Sequence, residues 1–385
     1  MIKESPVVEQ QNVFRKPQPS MAKLVEAAQI EAKPGPIFNT ELVRKQEHAR
    51  STCHHQIQTT QQHDDMHKTV QHPEEEDDVL SLLVCQAKAY GWFIDPREIE
   101  FKEQVAEGST ATVHKATWRG LEVAVKCINA DLFNENENGL WFFIQELLTL
   151  SVQRHPFVLR LMGACLSPPD HGWVVTEYLK ITLSEWLHGP GSRRRERLIE
   201  LPQLKARLTK ALEISQAMQY LHERRPMLVH RDLKPSNIFL DDSGHVRVAD
   251  FGHATLVEHG EKALTGETGT YVYMAPEVFL SKPYDEKCDV FSFGVILNEL
   301  MTGDYPYIDT DLGPYQIAAG VAAGELRPTL AEDGENQLGE MVDLISKCWD
   351  SDESVRPCFG TITCALKNIL ENLIIIEEAN PVRQS

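Results

Sequence analysis

The sequence predicts an α+β fold built as two lobes, a β-rich lobe first and a larger α-rich lobe after it, preceded by a disordered polar tail. Three observations carry that expectation. Between residues 99 and 128 apolar and polar side chains alternate, the pattern of half-buried strands. From Leu208 onward the apolar positions recur at three-to-four spacing, the period of a helix. Strands come first and helices after, an order that segregates the two kinds of element rather than interleaving them.

The first 78 residues are poor in aromatic and β-branched side chains, rich in Gln, His, Lys and Glu, and broken by Pro17, Pro19, Pro34 and Pro36. Such a stretch buries too little apolar surface to offset its chain entropy, so disorder is expected, with a short helix near Met21 to Ile30. His63 and His67 share one helical face near Cys53, His54 and His55. No second ligand pair has finger-like spacing, so a solvated tail is expected there rather than a metal site. The texture changes at Val79, where Leu80, Leu82, Leu83 and Tyr90 suggest a short helix and Trp92-Phe93-Ile94 a lead-in. Residues 79–97 are therefore expected to pack on the first lobe. The main domain is expected over 98–372, with lobes at 98–176 and 180–372, followed by a tail over 373–385.

Within that frame, Ile99 to Val105, Thr112 to Thr117 and Leu121 to Ile128 read as strands, the last two joined at Arg119-Gly120, a dipeptide suited to a tight hairpin. Trp141 to Leu150 is helix-like, with Leu147 and Leu150 on the core side. Leu208, Ala211, Leu212, Ser215, Met218 and Leu221 mark an amphipathic helix, as do Leu338, Met341, Val342, Ile345 and Trp349. Val290 to Met301 is apolar almost all round, the mark of a helix buried inside a lobe.

With 385 residues, 42% of them apolar, the chain can bury a large core. Its formal charge of −19, from 57 acidic and 38 basic side chains, argues against nucleic acid or an anionic membrane as partner and suits basic protein surfaces. The eight cysteines are scattered without a Cys-x-x-Cys pair, so free thiols and a reducing compartment are expected. The start lacks an apolar signal core, Ile2 stands where myristoylation needs glycine, and the run Leu373 to Ile376 is too short to cross a bilayer. These features predict a soluble cytoplasmic protein with no membrane span.

Four short strings carry chemistry. Val105-Ala-Glu-Gly-Ser-Thr-Ala-Thr-Val113 lies between two expected strands, and its small residues let backbone amides approach phosphate oxygens. Val123-Ala-Val-Lys126 ends the third strand; alternation buries Val123 and Val125 and leaves Ala124 and Lys126 on the other face. An ammonium so placed needs a fixed anion, and Glu146 in the following helix is the candidate. His230-Arg-Asp-Leu-Lys-Pro-Ser-Asn237 gathers a carboxylate, an ammonium and an amide in one loop, and Asp250-Phe-Gly252 offers a hard oxygen ligand behind the strand-like Val246 to Ala249.

Together these strings resemble the signature set of eukaryotic protein kinases over about residues 95 to 372, with the His-Arg-Asp loop matched in full. The glycine-rich loop is matched in part, because Ala106 and Ala111 stand where the outer glycines would be. Thr117-Trp-Arg-Gly120, Leu161-Met-Gly-Ala-Cys165, Gly269-Thr-Tyr-Val-Tyr-Met274 and Cys348-Trp349 narrow the resemblance to Raf-like or mixed-lineage-like kinases of the tyrosine-kinase-like group, especially those of plants.

That resemblance implies the bilobal protein-kinase fold and transfer of the γ-phosphoryl group of ATP, with Mg²⁺, to a protein serine or threonine, with a downstream kinase as a candidate substrate and an upstream kinase as a candidate activator. Asp232 would orient the substrate hydroxyl and take its proton, and Lys234, the serine/threonine-kinase residue, would neutralise developing charge. Asn237 and Asp250 would ligate Mg²⁺, and Lys126, held by Glu146, would pair with the phosphates. Val105, Gly108, Val113 and Ala124 would surround the nucleotide, with Thr176 as a small gatekeeper and Glu177 and Leu179 in the hinge. Glu277 and Arg356 would form a structural ion pair, Asp289 would cap the catalytic loop, and Leu150, Leu161, His230 and Phe251 would stack as one column. Phosphate on Thr265 or Thr268 would pair with Arg231, whereas Thr270 would contact Asp232 and Lys234. Arg193 to Arg197 is expected to be a solvated loop. The rival is a pseudokinase scaffold, supported only by Ala106 and Ala111; each adds a methyl and removes no charge or ligand.

Overall fold

A computed structural model of the chain describes residues 73–108, 110–135, 139–191, 199–257, 264, 269–330 and 339–379. The expectations for the histidine-rich tail, Arg193 to Arg197, Thr265 and Thr268 lie outside these residues. Two boundaries differ from the compositional reading. The last described helix runs Phe359–Ala379, past residue 372 and into the stretch assigned to the C-terminal tail. The first described helix, α1, spans Pro73–Ala89 and so begins inside the stretch assigned to the polar tail. Proline suits the first turn of a helix, where its missing N–H has no partner to lose.

The first lobe is a five-stranded antiparallel sheet of β1 (Ile99–Glu107), β2 (Ala111–Trp118), β3 (Leu121–Ile128), β4 (Leu161–Ser167) and β5 (His171–Glu177), in the order β1-β2-β3-β5-β4. Helices α2 (Ala130–Glu135) and α3 (Gly139–Ser151) cross over between β3 and β4. Arg119 and Gly120 turn the β2-β3 hairpin with φ of 49° and 80°, the positive pair that matches strand twist. One sheet face buries Ile94, Ile99, Ala116, Val123, Val125, Cys165 and Val175. The lead-in covers the outer edge of β4, where Ile94 N–H donates to Ala164 O at 2.9 Å and Ala164 N–H to Trp92 O at 2.8 Å. That close approach needs a glycine beside it: a Cβ on Gly163 would sit 2.5 Å from Ile94 Cδ1 and 2.6 Å from Trp92 O. Gly163→Val is accordingly expected to cost about 1–3 kcal/mol by overpacking, read as a lower urea midpoint at unchanged slope.

After β5 the chain enters the helical lobe through β6 (Ile181–Thr182), α4 (Leu183–His188), α5 (Leu204–His222) and β7 (Met227–Val229). Strands β8 (Ile238–Leu240), β9 (Val246–Val248) and β10 (Thr255–Val257) follow, then α6 (Pro276–Phe279), α7 (Lys287–Thr302), α8 (Pro314–Ala322), α9 (Gly339–Cys348) and α10 (Phe359–Ala379). From Cys288 to Met301 every residue of α7 is buried, as its apolar circumference requires. Around it close Leu221 of α5, Ile345 of α9 and Phe359 and Ile362 of α10. The seven described cysteines are free thiols.

Helix α10 also differs from expectation in its apolar length. Over Phe359–Ile376 it is long and apolar enough, by length and composition, to cross a bilayer, although its longest uninterrupted apolar run is short. Phe359, Ile362 and Leu366 are nonetheless buried in the lobe core, and Thr363 Oγ1 bonds Ser215 Oγ of α5 at 3.1 Å.

Candidate active site

The cleft between the lobes is built from β3, α3 and two C-lobe loops. Alternation along β3 turns Val123 and Val125 into the sheet core and Lys126 to the opposite side. There the Lys126 ammonium donates to both carboxylate oxygens of Glu146, at 2.8 and 2.9 Å, and lies 3.5 Å from Asp250 Oδ1. Burial by itself would lower the Lys126 pKa; the carboxylates of Glu146 and then Asp250 outweigh it, so the pKa is raised and the ammonium stays charged. Burial likewise favours a neutral Asp250, but Lys126 foremost, then His230, His253 and Lys234, hold its pKa below the ordinary carboxylate value.

The loop between β7 and β8 gathers the second half. Asp232 Oδ2 accepts from Lys234 Nζ at 2.7 Å and from Asn237 Nδ2 at 3.0 Å, and Asp232 Oδ1 accepts from Thr270 Oγ1 at 2.9 Å. Lys234 Nζ also donates to Thr270 Oγ1 at 2.7 Å. Asn237 Nδ2 is further engaged by Asp232 O at 2.9 Å, which leaves the amide oxygen available to a cation. Asn237 and Asp250 thus present a hard, all-oxygen donor set of the kind that Mg²⁺ takes.

Asp289, fully buried at the start of α7, holds this loop by its backbone. Its Oδ2 accepts from His230 N–H and its Oδ1 from Arg231 N–H, both at 2.8 Å. Burial would raise the Asp289 pKa, but His222, 2.9 Å away, and His230 overcome it and keep the carboxylate ionised. This clamp helps maintain Arg231 at φ 67°, a left-handed conformation that side chains other than glycine rarely adopt. Arg231 Nε donates to His253 O at 2.6 Å. His230 and Phe251, both fully buried, lie 5.2 Å apart between ring centroids, with Leu150 and Leu161 in the same apolar cluster.

Of the residues expected to surround a nucleotide, Val105 is 44% exposed, whereas Val113 and Ala124 are partly buried. Gly108 N–H donates to Ala111 O at 2.9 Å, closing the β1-β2 hairpin. Thr176 is buried and pairs with Ala124 across the β3-β5 ladder. The Glu177 carboxylate accepts from Arg160 N–H at 2.9 Å and Arg247 Nε at 3.3 Å, so its side chain ties the end of β5 to the β4 approach and to β9. Leu179 follows, half-buried. Away from the cleft, Arg356 grips Glu277 through two bonds of 2.5 and 2.9 Å and its Nε donates to Asp350 O at 2.9 Å.

Sequence reasoning did not single out His222, which braces Asp289, or the buried Glu299, whose oxygens meet His188 Nε2 and Tyr273 Oη at 2.8 Å each. It also passed over Gln145 beside Glu146. The available signal was a second polar residue inside the apolar run of a helix expected to turn Leu147 and Leu150 to the core.

A lysine and carboxylate facing a loop of Asp, Lys and Asn, between a five-stranded lobe and a helical one, is the arrangement of a phosphoryl-transfer kinase. The chain belongs to the protein kinase family, whose domain matches residues 99–368. Among similar proteins is the serine/threonine-protein kinase STY46 of Arabidopsis thaliana, 36% identical over 73% of this chain and 46% of its own length. The Arabidopsis serine/threonine-protein kinase VIK is 36% identical over 74% of this chain and 64% of its own. The dual specificity protein kinase shkA of Dictyostelium discoideum is 32% identical over 77% and 55% respectively. The chain thus spans about half the length of curated relatives that it matches.

Proposed function

We propose that this protein is an active serine/threonine kinase that transfers the γ-phosphoryl group of Mg-ATP to a hydroxyl of a protein substrate in intracellular signalling. One observation carries the reading: Asp232 holds Lys234, Asn237 and Thr270 within 3.0 Å, a base and its neutralising ammonium prepared for a hydroxyl. Bound ATP supplies the phosphoryl group, and Mg²⁺ its charge neutralisation. Asp250 and the Asn237 oxygen would hold the cation, while Lys126 pairs with the phosphates and Glu146 keeps it in place. Asp232 orients the acceptor hydroxyl and takes its proton. Lys234, beside it, offsets negative charge at the transferred group. The hinge backbone at Glu177 and Leu179 would bind adenine, with Val105, Gly108, Val113 and Ala124 around it and Thr176 behind.

Thr265 or Thr268 is the proposed activating phosphosite, and an upstream kinase its source. A downstream kinase is the proposed substrate, with a basic surface to match the acidic chain. The free thiols suit the reducing cytoplasm. The test is transfer from radiolabelled ATP to a generic basic protein, followed by hydrolysis to phosphoamino acids. Label on serine or threonine is expected; label on tyrosine alone, or none, would overturn the assignment. Lys126→Met should lower kcat/KM for ATP by about 10²- to 10³-fold, since it removes a preorganised cation from the phosphates.

A further inference from the structure

We propose that Gln145 is a positioning residue that makes the placement of Asp250 depend on the docking of α3. From Phe143 to Leu150 every residue of α3 is buried, and Gln145 and Glu146 are adjacent polar side chains in that run. They reach different partners. Glu146 takes the Lys126 ammonium at 2.8 Å, whereas Gln145 Nε2 donates to the backbone oxygen of Ala254.

Ala254 ends the short turn Phe251–His253 that follows Asp250. Its N–H donates to Phe251 O at 3.0 Å, and the next residue opens β10, whose Thr255 pairs with Val229 just before His230. Ala254 is therefore tied to the turn through its N–H and to α3 through its carbonyl oxygen. Lys126, 3.5 Å from Asp250, completes a ring: α3 through Gln145 to Ala254, back along the chain to Asp250, across to Lys126, and through Glu146 to α3. If α3 moves outward, both ties break together, leaving a carbonyl and an ammonium short of partners in a buried setting. Gln145 touches neither nucleotide nor hydroxyl; it acts through Ala254 on the position of the cation-binding carboxylate.

The activity arm of the test rests on the kinase reading; the exchange arm does not. In the full chain, Gln145→Leu removes the donor at similar volume, and Gln145→Met provides a second variant should the first fail to fold. Amide hydrogen exchange at Thr255–Val257, measured without nucleotide, should accelerate about tenfold, the effect of leaving one buried acceptor unpaired. The Mg²⁺ concentration that half-saturates phosphoryl transfer at high ATP should rise by a similar factor, with the thermal midpoint held. Unchanged exchange and unchanged Mg²⁺ dependence would overturn the proposal. So would faster exchange spread through both lobes with a lowered midpoint, because that describes a merely structural residue. An inactive parent chain whose variant still exchanges faster at Thr255–Val257 would remove the kinase reading and support the Gln145 tie.

Discussion

Replacing Asp232 by Asn is expected to lower kcat for phosphoryl transfer by about 10²- to 10⁴-fold, the range set by loss of a positioned general base. The substitution keeps an oxygen that can accept from Thr270 Oγ1, now 2.9 Å from Asp232 Oδ1, so the loop should hold its shape. It removes the negative charge that meets Lys234 at 2.7 Å and the basic lone pair that takes the proton. Because Lys126, Glu146 and Asp250 are untouched, KM for ATP should change little, and the loss should fall on kcat. Radiolabel transfer at saturating ATP, run beside a fluorescence titration with a nucleotide analogue, separates the two quantities. Labelling that survives at the parent rate would show that Asp232 is not the base.

The second large effect concerns stability. Arg356 has a wholly buried side chain, and Glu277, 9% exposed, is its carboxylate partner. Glu277→Ala would leave the guanidinium buried without a carboxylate, held by the carbonyls of Asp350 and Lys287 and by the Phe291 ring 5.2 Å away. Breaking a buried pair from one side costs about 3–5 kcal/mol, so a strong fall in the denaturant midpoint is expected. Replacing Glu277 and Arg356 together by methionine should cost less than Glu277→Ala alone, since no uncompensated charge remains. A single substitution within about 1 kcal/mol of the parent would mean that water reaches the guanidinium.

How much was legible in advance depended on chain distance. The segregation of strands and helices followed from periodicity, and the β2-β3 turn from Arg119-Gly120, because both are local consequences of backbone geometry. Asp232, Lys234 and Asn237 stand within six positions, so one loop was bound to bring them together. Glu146 was chosen for Lys126 on helical position, and the structure puts the pair at 2.8 Å. Gln145 escaped notice because its partner is a backbone oxygen, which has no side-chain signature. His222 and Glu299 escaped for a related reason: their partners lie 67 and 111 positions away or sit on other elements, and a lone histidine or glutamate in a helix reads as a solvated charge.

By itself, then, the sequence determined the order of elements, the polar composition of the N-terminal stretch and the identity of the reactive groups, since these depend on local periodicity and residue chemistry. The tertiary structure alone decided which charges are buried and what each one faces. Asp250 remains ionised because Lys126 comes from another lobe, Asp289 because His222 comes from another helix, and Arg231 keeps its left-handed backbone because Asp289 reaches it from α7. Desolvation and charge pairing act through space over a few ångströms, and only the packed chain sets those distances.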